Sequence, residues 1–352
     1  MFVSGAVFSQ EWKPQTWPVL KQYDREHLYQ VALPLGGIGT GTVSLGGRGE
    51  LRDWEIMNVP DKKYSTVTIG NNAPFFAIYA KPQTGEATTT LLAGPLYPQE
   101  YLHYEGRPVN HHGMPRFADA TFEAAYPFGQ VHLSALVPGD ADASGMPVAV
   151  LAYEVTNTTD RPLEVAVCGS MRNFIGKDGS KFRTDWKGDY IPTGAKDNKN
   201  QFRKKNGLQG LYLYSDGVDK NDPAYGTVAL TTQAVEGVTY RTSSRADNWN
   251  NGILNFWDDF SADGELTERD RQEDEDPMAS LAVKKTVGPG STETFTFYLT
   301  WNFPNRKAWS ETIVGNYYST WFPDAWEAAE AIVPQIPEME RQTLSFVHAF
   351  LK

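Results

Sequence analysis

Cysteine is almost absent from this chain of 352 residues, and Cys168 is the only one. A single cysteine excludes an intrachain disulfide and a zinc site built from several cysteines. Cys168 lies in the apolar run EVAVCGS, which is typical of a strand, so we predict an inert, buried thiol. His111 and His112 are adjacent and would point apart, so no metal site is predicted. No motif requires a cofactor, and none is expected.

Positive charge is scarce as well. Lysine and arginine number 32 against 43 aspartates and glutamates, which leaves a formal net charge of -11. Contact with a nucleic-acid backbone needs a basic surface, so no nucleic-acid partner is expected. No window reaches the roughly 18 apolar residues of a membrane span. The start, MFVSGAVFSQEWK, has no signal-peptide pattern, so the sequence predicts a cytoplasmic protein, or an exported one whose signal has been removed.

Apolar and aromatic residues are plentiful, at 40% and 13% of the chain. Up to about residue 300 they form short β-like runs separated by Gly, Pro, Asn and Asp. Phe295, Phe297, Leu299 and Trp301 alternate with polar residues, as one buried strand face requires. Four strand-turn-strand pairs are predicted: residues 148–156 with 163–170, 120–126 with 130–137, 225–233 with 238–244, and 281–287 with 292–301. We therefore predict a mainly β protein with a large antiparallel β-sandwich over residues 1–305.

Two stretches interrupt this pattern. Residues 176–209 are rich in Lys, Asp, Asn and Gly, and residues 258–277 form a dense charged run. Both compositions are typical of solvated loops, so loops are predicted there in preference to a binding site.

A short helical segment is predicted at the C-terminus, over residues 306–352. Its first helix begins near Pro323 and ends at Pro334 and Pro337. A second helix runs from about Glu338. Its apolar stripe is formed by Leu344, Val347 and Leu351. Because this stripe lacks a partner within the sequence, it predicts a docking helix, and self-association through that helix when the chain is alone.

The glycine-rich stretch LPLGGIGTGTVSLGGRGELRDWEIMN, residues 33–58, raises the question of a phosphate-binding loop. A dinucleotide motif that starts at Gly37 would need a glycine where Thr42 stands, and a P-loop would need a lysine that this stretch lacks. Gly37, Gly39 and Gly41 instead recur at every second residue. This spacing predicts one face of a core strand that another layer approaches closely.

Asp53 and Glu55 are the first candidates for the paired carboxylates of a glycosidase. If residues 51–56 are extended, the two lie on one strand face, about 7 Å apart at Cβ. A retaining glycosidase holds its carboxyls about 5 Å apart on opposite sides of the scissile bond. We therefore interpret Asp53 and Glu55 as ion-pair partners of Arg48 or Arg52. No Gly-x-Ser-x-Gly elbow is present, so no complete catalytic site is predicted.

Three segments carry a resemblance to a known family: PLGGIGTGTVSLGGRGELRDWEIMN, WNFPN at residues 301–305, and VGNYY at residues 314–318 followed by Trp326. Together they resemble the N-terminal region of glycoside hydrolase family 116, which includes bacterial β-glucosidases and the non-lysosomal glucosylceramidases of animals. The similarity extends over most of the chain, from about residue 30 to about residue 345. It implies a two-domain enzyme in which a β-sandwich precedes an (α/α)6 catalytic domain with a retaining mechanism.

The resemblance also implies that this chain and the catalytic domain have different roles. Neither catalytic carboxylate of the family has a matching position here, so we expect the chain alone to be inactive. Its expected partner is the C-terminal (α/α)6 domain, on the same or a separate chain, and the expected substrates of the whole enzyme are β-glycosides. The candidates for the pocket rim or the domain interface are Arg52, Asp53, Trp54, Glu55 and Trp301.

The alternative hypothesis is a free-standing carbohydrate-binding or protein-interaction module. In that case exposed indole rings would stack on the C–H faces of a glycan. The candidate rings are Trp54, Trp186, Trp249 and Trp257.

Overall fold

The computed structural model of the chain describes residues 21–37, 39–58, 73–97, 114–125, 128–134, 146–184, 190–244, 252–268, 277–308, 310 and 312–341. It is mainly β, with 46% strand and 14% helix, and its sheets are antiparallel. The predicted fold class is therefore confirmed. None of the helices in these ranges is long and apolar enough to cross a membrane.

The strands are numbered in chain order. They are β1 (Lys21–Tyr23), β2 (Ala32–Leu35), β3 (Thr42–Gly46), β4 (Leu51–Glu55), β5 (Phe75–Pro82), β6 (Thr88–Leu91), β7 (Asp119–Ala125), β8 (Phe128–Ser134), β9 (Val148–Thr156), β10 (Leu163–Arg172), β11 (Phe182–Thr184), β12 (Tyr190–Pro192), β13 (Asn198–Lys205), β14 (Leu208–Ser215), β15 (Thr227–Thr232), β16 (Val238–Arg241), β17 (Met278–Val287) and β18 (Thr292–Asn302). The α-helices are α1 (Gly252–Asp263) and α2 (Ala325–Ile332), and the 3₁₀ turns are Arg25–His27, Tyr317–Thr320 and Val333–Gln335.

Two five-stranded sheets face each other. Sheet I has the order β16-β17-β10-β5-β6 and sheet II has the order β13-β14-β15-β18-β9. The main hydrophobic core lies between them, where Phe76 of sheet I meets Phe297 of sheet II edge-to-face, with ring centroids 5.5 Å apart. The predicted alternation in β18 is confirmed, because Phe295, Phe297, Leu299 and Trp301 are each at most 1% exposed. Smaller sheets, β1-β7-β8, β2-β3-β4 and β11-β12, complete the fold.

Each large sheet is also covered on its outer face by a helix. On sheet I, Phe260 of α1 packs against Tyr79, and Cys168 lies in the same cluster. On sheet II, Trp326 and Ile332 of α2 pack in a cluster with side chains of β14, β15 and β18. Burial on both faces explains why strands such as β10 and β17 are apolar along most of their length. The predicted burial of Cys168 is confirmed, and desolvation raises the pKa of its thiol.

The predicted strand pairs have mixed outcomes. β7 and β8 form the predicted hairpin. The other three pairs are wrong as hairpins, because β9 and β10, β15 and β16, and β17 and β18 lie in opposite sheets. Each of these connections crosses the sandwich, so that β9 pairs with β18 and β10 pairs with β17. The sheets are only about 10 Å apart, so a few polar residues can cross between them as readily as they turn back within one sheet.

The predicted loop at 176–209 is wrong over much of its length, because β11 and β12 lie within it, β13 follows them, and its last two residues begin β14. The longest strand that lies wholly within it is β13. This strand is the polar edge of sheet II, and charged residues are typical of an edge strand. It pairs with β14 through a turn at Asn206 and Gly207, which have φ angles of +52° and +79°. Two positive φ angles in an Asn-Gly turn are the usual hairpin geometry, so this dipeptide was an available signal.

The predicted loop at 258–277 is wrong at its start, because residues 258–263 belong to α1. Ile253, Phe256, Trp257 and Phe260 recur with helical spacing and form the apolar side of the helix. Because the charged run begins within this helix, its charged composition favoured a loop, and the helical spacing of the apolar residues was overlooked. Residues 269–276 lie outside the described ranges.

The C-terminal helices agree with the prediction in outline. α2 ends at Ile332, and Pro334 lies in the 3₁₀ turn that follows, so the predicted interruption is confirmed. The helix resumes at residues 336–341, two residues before the predicted Glu338, so Pro337 lies near its start and does not end a helix. The docking stripe of Leu344, Val347 and Leu351 lies outside the described ranges, and its role stays a prediction. The domain boundary after residue 305 also stays a prediction.

Candidate functional site

The segments that carry the resemblance meet at one end of the sandwich. We call this cluster the motif junction and define it as residues 36–37, 39–41, 52–58, 301–305 and 315–318. Hydrogen bonds join these segments although they are separated by as much as 261 positions in the sequence. The junction is therefore assembled only by the tertiary fold.

Trp301, at the end of β18, is the centre of the junction. Its indole Nε1 donates a hydrogen bond to the Thr40 carbonyl at 2.9 Å, and its ring is fully buried. A Cβ on Gly36 would lie 2.8 Å from that ring, and a Cβ on Gly41 would lie 2.5 Å from the Glu55 carbonyl oxygen. The predicted close approach is confirmed at Gly41 but not at Gly39, where a Cβ would meet no atom within 4 Å, and Gly36 adds a close approach that was not predicted.

Their predicted strand conformation is wrong. Residues 36–41 connect β2 to β3, and Gly36, Gly39 and Gly41 have φ angles of +106°, +77° and +83°. These angles lie in the region that glycine adopts without a steric penalty. The glycine run is a turn folded over the Trp301 ring.

A bulge interrupts β4 at the RDWE motif. Thr42 and Ser44 of β3 oppose Glu55 and Arg52, so β4 carries one extra residue between these pairs. Asp53 takes up the bulge with a φ of +49°, and both Asp53 and the adjacent Trp54 are buried, at 3% and 1% exposure. The expected uninterrupted extension of residues 51–56 is wrong, and so is the single shared face of the two carboxylates.

The two carboxylates have separate partners. Asp53 Oδ2 lies 3.5 Å from Arg52 Nε, which confirms the predicted pairing with Arg52. Glu55 Oε2 accepts a hydrogen bond from the Thr42 hydroxyl at 3.3 Å. Arg52 and Glu55 are half-buried, and Arg52 Nη1 also donates to the Tyr29 carbonyl at 3.1 Å. These carboxylates are held as parts of the scaffold.

Asn58 and Asn316 connect the remaining segments. Asn316 Nδ2 donates to Asn58 Oδ1 at 2.9 Å and to the Phe303 carbonyl at 2.8 Å. The Phe303 amide donates to the Tyr318 hydroxyl at 3.0 Å, and burial raises the pKa of Tyr318 to about 12. The phenol is therefore neutral at ordinary pH and serves as a structural hydrogen-bonding group. Asn58 has a φ of +64°, a conformation that asparagine tolerates better than most residues.

Asn305 extends the junction to a neighbouring loop. Its Nδ2 donates to the carbonyls of Lys220 and Asp222 at 2.6 and 2.9 Å. Desolvation acts to raise the pKa of Asp222, yet hydrogen bonds from Lys181 and the Ala224 amide hold it below its usual value. The Lys181 Nζ to Asp222 Oδ2 distance is 2.7 Å. This ion pair joins Lys181 to the loop that Asn305 contacts.

A small cavity is present in the described part of the chain. Its volume is about 70 Å³, and it lies beside Arg48, whose Nη2 is 3.3 Å from Glu50 Oε1. This volume is far below the several hundred Å³ of typical ligand pockets. Within the described ranges no group of three or more His, Cys, Asp or Glu side chains could hold a metal ion. His111 and His112 lie outside those ranges.

The predicted rim or interface residues are all in or beside the junction, but they differ in exposure. Asp53, Trp54 and Trp301 are buried, whereas Arg52 and Glu55 reach the surface in part. Their functional role stays a prediction. Asn58, Asn316 and Tyr318 were missed as site residues, although all three lie in segments that carry the resemblance.

The predicted exposed rings are not all exposed. Trp54 is buried and packs edge-to-face on Phe174, with ring centroids 5.5 Å apart, so its predicted exposure is wrong. Trp257 is half-buried against the cluster beneath α1. Trp186 and Trp249 lie outside the described ranges.

The fold and the junction define a class: an antiparallel β-sandwich domain with a helix on each outer face. Comparison with known families is more specific. The family model described as "beta-glucosidase 2, glycosyl-hydrolase family 116 N-term" matches residues 32–339. The chain belongs to this family of glycosyl-hydrolase family 116 N-terminal domains, and the resemblance seen in the sequence is confirmed.

Two solved structures show slight similarity. A polysaccharide lyase is 9% identical with a TM-score of 0.29, and the match covers 77% of this chain and 31% of the lyase. A putative kojibiose phosphorylase from the human microbiome is 10% identical with a TM-score of 0.25, and the match covers 78% of this chain and 30% of that protein. The chain thus spans about a third of the length of each. Similarity this slight carries no argument about fold or activity.

Proposed function

We propose that this chain is the N-terminal β-sandwich of a β-glycosidase that hydrolyses β-glucosides or related β-glycosides with retention. The sandwich supports the catalytic domain and contributes to the rim of the pocket, and it is inactive by itself. The observation that carries the proposal is the family match over residues 32–339.

The state of the carboxylates supports an inactive sandwich. Retaining hydrolysis needs two carboxyls about 5 Å apart with the sugar between them, one as nucleophile and one as acid and base. Asp53 is buried against the guanidinium of Arg52, and Glu55 is bonded to Thr42. Neither has the free, facing geometry that the reaction requires, which supports a catalytic pair in another part of the enzyme.

The arrangement of the junction supports a role at the pocket rim or the domain interface. Inward hydrogen bonds from Trp301 and Asn316 hold its segments rigid. Arg52 and Glu55 reach the surface from this rigid base. A rigid base is what a supporting domain needs, because residues that border a substrate must be held within a fraction of an ångström.

The proposal is tested by assaying the purified chain on an aryl β-glucoside. We expect no hydrolysis above the buffer rate. The activity should arise when the polypeptide that follows this domain in the enzyme is present, and Asp53→Asn and Glu55→Gln should each leave the maximal rate of that assembly within about tenfold. If the chain alone hydrolysed the substrate and either substitution abolished that hydrolysis, the proposal would be overturned.

The alternative, a free-standing carbohydrate-binding module, predicts a different result. Calorimetric titration of the chain alone with β-glucosides and polysaccharides would then show saturable binding. That binding would be lost on one tryptophan-to-alanine substitution.

A further inference from the structure

Four exposed apolar side chains lie close together in sequence beside the motif junction. We call Ile313, Val314, Tyr317 and Trp321 the 313–321 strip; they are 44%, 62%, 72% and 54% exposed. The Tyr317 and Trp321 rings contact each other edge-to-face, with centroids 4.6 Å apart. The other large exposed apolar side chains in the described part of the chain are spread singly along the sequence, and they are Tyr29, Phe182, Val235 and Leu254. The strip is therefore a concentration of apolar surface that the sandwich does not cover.

The strip is held on a rigid base. Between its members, Asn316 and Tyr318 are buried in the junction and bonded to Phe303. The Val314 amide donates to the Arg306 carbonyl at 2.8 Å, which closes the loop beneath the strip. The exposure of the four side chains thus comes from a fixed backbone, and a fixed surface loses little entropy when it binds.

Its chemistry favours a protein partner over a sugar. A sugar site needs polar groups that receive the ring hydroxyls, placed next to the aromatic face. The polar groups of the strip itself are the Tyr317 hydroxyl and the Trp321 indole N–H. The nearby Ser319 and Thr320 hydroxyls already donate to the Asn316 and Tyr317 carbonyls. Ile313 and Val314 add aliphatic surface, which contributes no hydrogen bonds. Such a surface matches the apolar core of a protein interface.

Its size favours a tethered partner over a second copy. A tyrosine or tryptophan side chain offers roughly 200 Å², so the exposed parts of the strip amount to on the order of 400 Å² with the aliphatic groups. A free dimer of standard size buries about 800 Å² on each partner. Two copies would also each bring a net charge of -11. A domain on the same polypeptide has an effective concentration near the millimolar range, for which a smaller patch is sufficient.

The position of the strip favours the polypeptide that follows this domain as the tethered partner. The family model describes this region as the N-terminal part of a longer enzyme. The strip is followed, four residues later, by the helical segment 325–341 along which the chain continues.

We propose that the 313–321 strip is the surface on which the polypeptide that follows this domain in a family 116 enzyme docks. The proposal rests on the proposed function and adds the residues that form the contact. Trp321 and Tyr317 are its central anchors, because large, well-held aromatic side chains carry most of the energy of such contacts.

The test is a binding measurement in trans between the chain and the following polypeptide, produced separately, checked for folding by circular dichroism and titrated to millimolar concentration to match the effective concentration of a tether. Three variants are compared with the wild type: Trp321→Asp and Val314→Asp in the strip, and Val235→Asp as the control. Val235 is 80% exposed on the turn between β15 and β16, away from the strip in sequence. We expect both strip variants to weaken binding at least tenfold and the control to bind like the wild type.

A labelling experiment tests the contact directly. Cys168 is fully buried, so a cysteine introduced by Val314→Cys, which keeps a side chain of similar size and both aromatic anchors, is the accessible thiol in the described part of the chain. Its reaction with a maleimide should be fast in the chain alone and at least tenfold slower when the following polypeptide is bound. Val235→Cys should react at the same rate in both samples.

The outcomes separate the two proposals. If the wild type binds the following polypeptide and β-glucoside hydrolysis is restored, and both strip variants do the same in full, the docking surface is overturned. The proposed function then stays intact. No binding and no activity with the wild-type chain would overturn both. Protection of Val314→Cys by methyl β-glucoside alone would overturn the protein-docking proposal and identify the strip as a sugar-binding surface.

Discussion

The helices on the two outer faces of the sandwich are held in different ways. α1 packs two phenylalanines on sheet I, and it also places Asp259 Oδ2 2.6 Å from Nη2 of Arg241, which is fully buried. α2 packs on sheet II through apolar side chains. Its ion pair, Glu330 with Lys205 at 2.8 Å, involves a lysine that lies at the surface.

The difference shows that a buried ion pair and apolar packing contribute differently to how precisely a helix is positioned. The Arg241 guanidinium also donates to Asn255 Oδ1 at 3.1 Å and to the Thr267 carbonyl at 3.0 Å, so its planar fork specifies one position of α1. Apolar packing stabilises α2 strongly but tolerates small shifts more readily. The helix that starts within a charged run is thus the one with the more specific attachment.

Removal of the buried guanidinium should have the largest effect. We expect Arg241→Ala to lower the free energy of unfolding by about 3 to 5 kcal/mol, because Asp259 then loses its buried partner. Urea denaturation followed by tryptophan fluorescence measures this change. The double variant Arg241→Met with Asp259→Leu should lose less than Arg241→Ala, since no charge is left unpaired. A loss below about 1 kcal/mol for Arg241→Ala would show that the ion pair is not a main attachment of α1.

Truncation of the apolar face of α2 should have the next largest effect. Ile332 is fully buried beneath the helix, so Ile332→Ala should lower the free energy of unfolding by about 3 kcal/mol through lost burial and a new cavity. The matched control is Leu254→Ala on α1, because Leu254 is exposed. Equal losses in the two variants, measured by the same denaturation, would contradict the apolar attachment of α2.

Removal of the cap of α2 should have the smallest effect of the three. Asp324 Oδ1 accepts a hydrogen bond from the Glu327 amide at 2.8 Å, so Asp324→Ala should lower the free energy of unfolding by about 1 kcal/mol. Asparagine caps helices as well as aspartate does, so Asp324→Asn should keep most of the stability. If Asn lost as much as Ala, the stabilisation would depend on the charge, and the contact from the Tyr212 hydroxyl at 3.2 Å would be the candidate cause.

The motif junction could be found from the sequence only in part. The landmark segments were recognised, and the pairing of Asp53 with Arg52 followed from their adjacency. The hydrogen bond from Asn316 to Asn58 could not be predicted, because the two residues are 258 positions apart and nothing in either segment specifies the other. The bulge at Asp53 was missed because the alternation rule assumes a regular strand, whereas a positive φ at one residue shifts all that follow.

The same limit applied to the helix on sheet I. The spacing of Ile253, Phe256, Trp257 and Phe260 was readable, but the acidic residues that follow suggested a solvated loop. Composition describes where side chains can lie in water. It does not indicate that Arg241, which is buried on β16, forms an ion pair with Asp259, one of those acidic residues.

The sequence by itself determined that the chain is mainly β, where most strands lie and which side of β18 is buried, because a period of two is a local property of each strand. Only the tertiary structure decided which strands pair. β9 and β10 follow each other closely, yet they lie in opposite sheets, where β9 pairs with β18 and β10 pairs with β17. A strand presents the same backbone groups to any neighbour, so the choice depends on how all the buried faces fit together in the core.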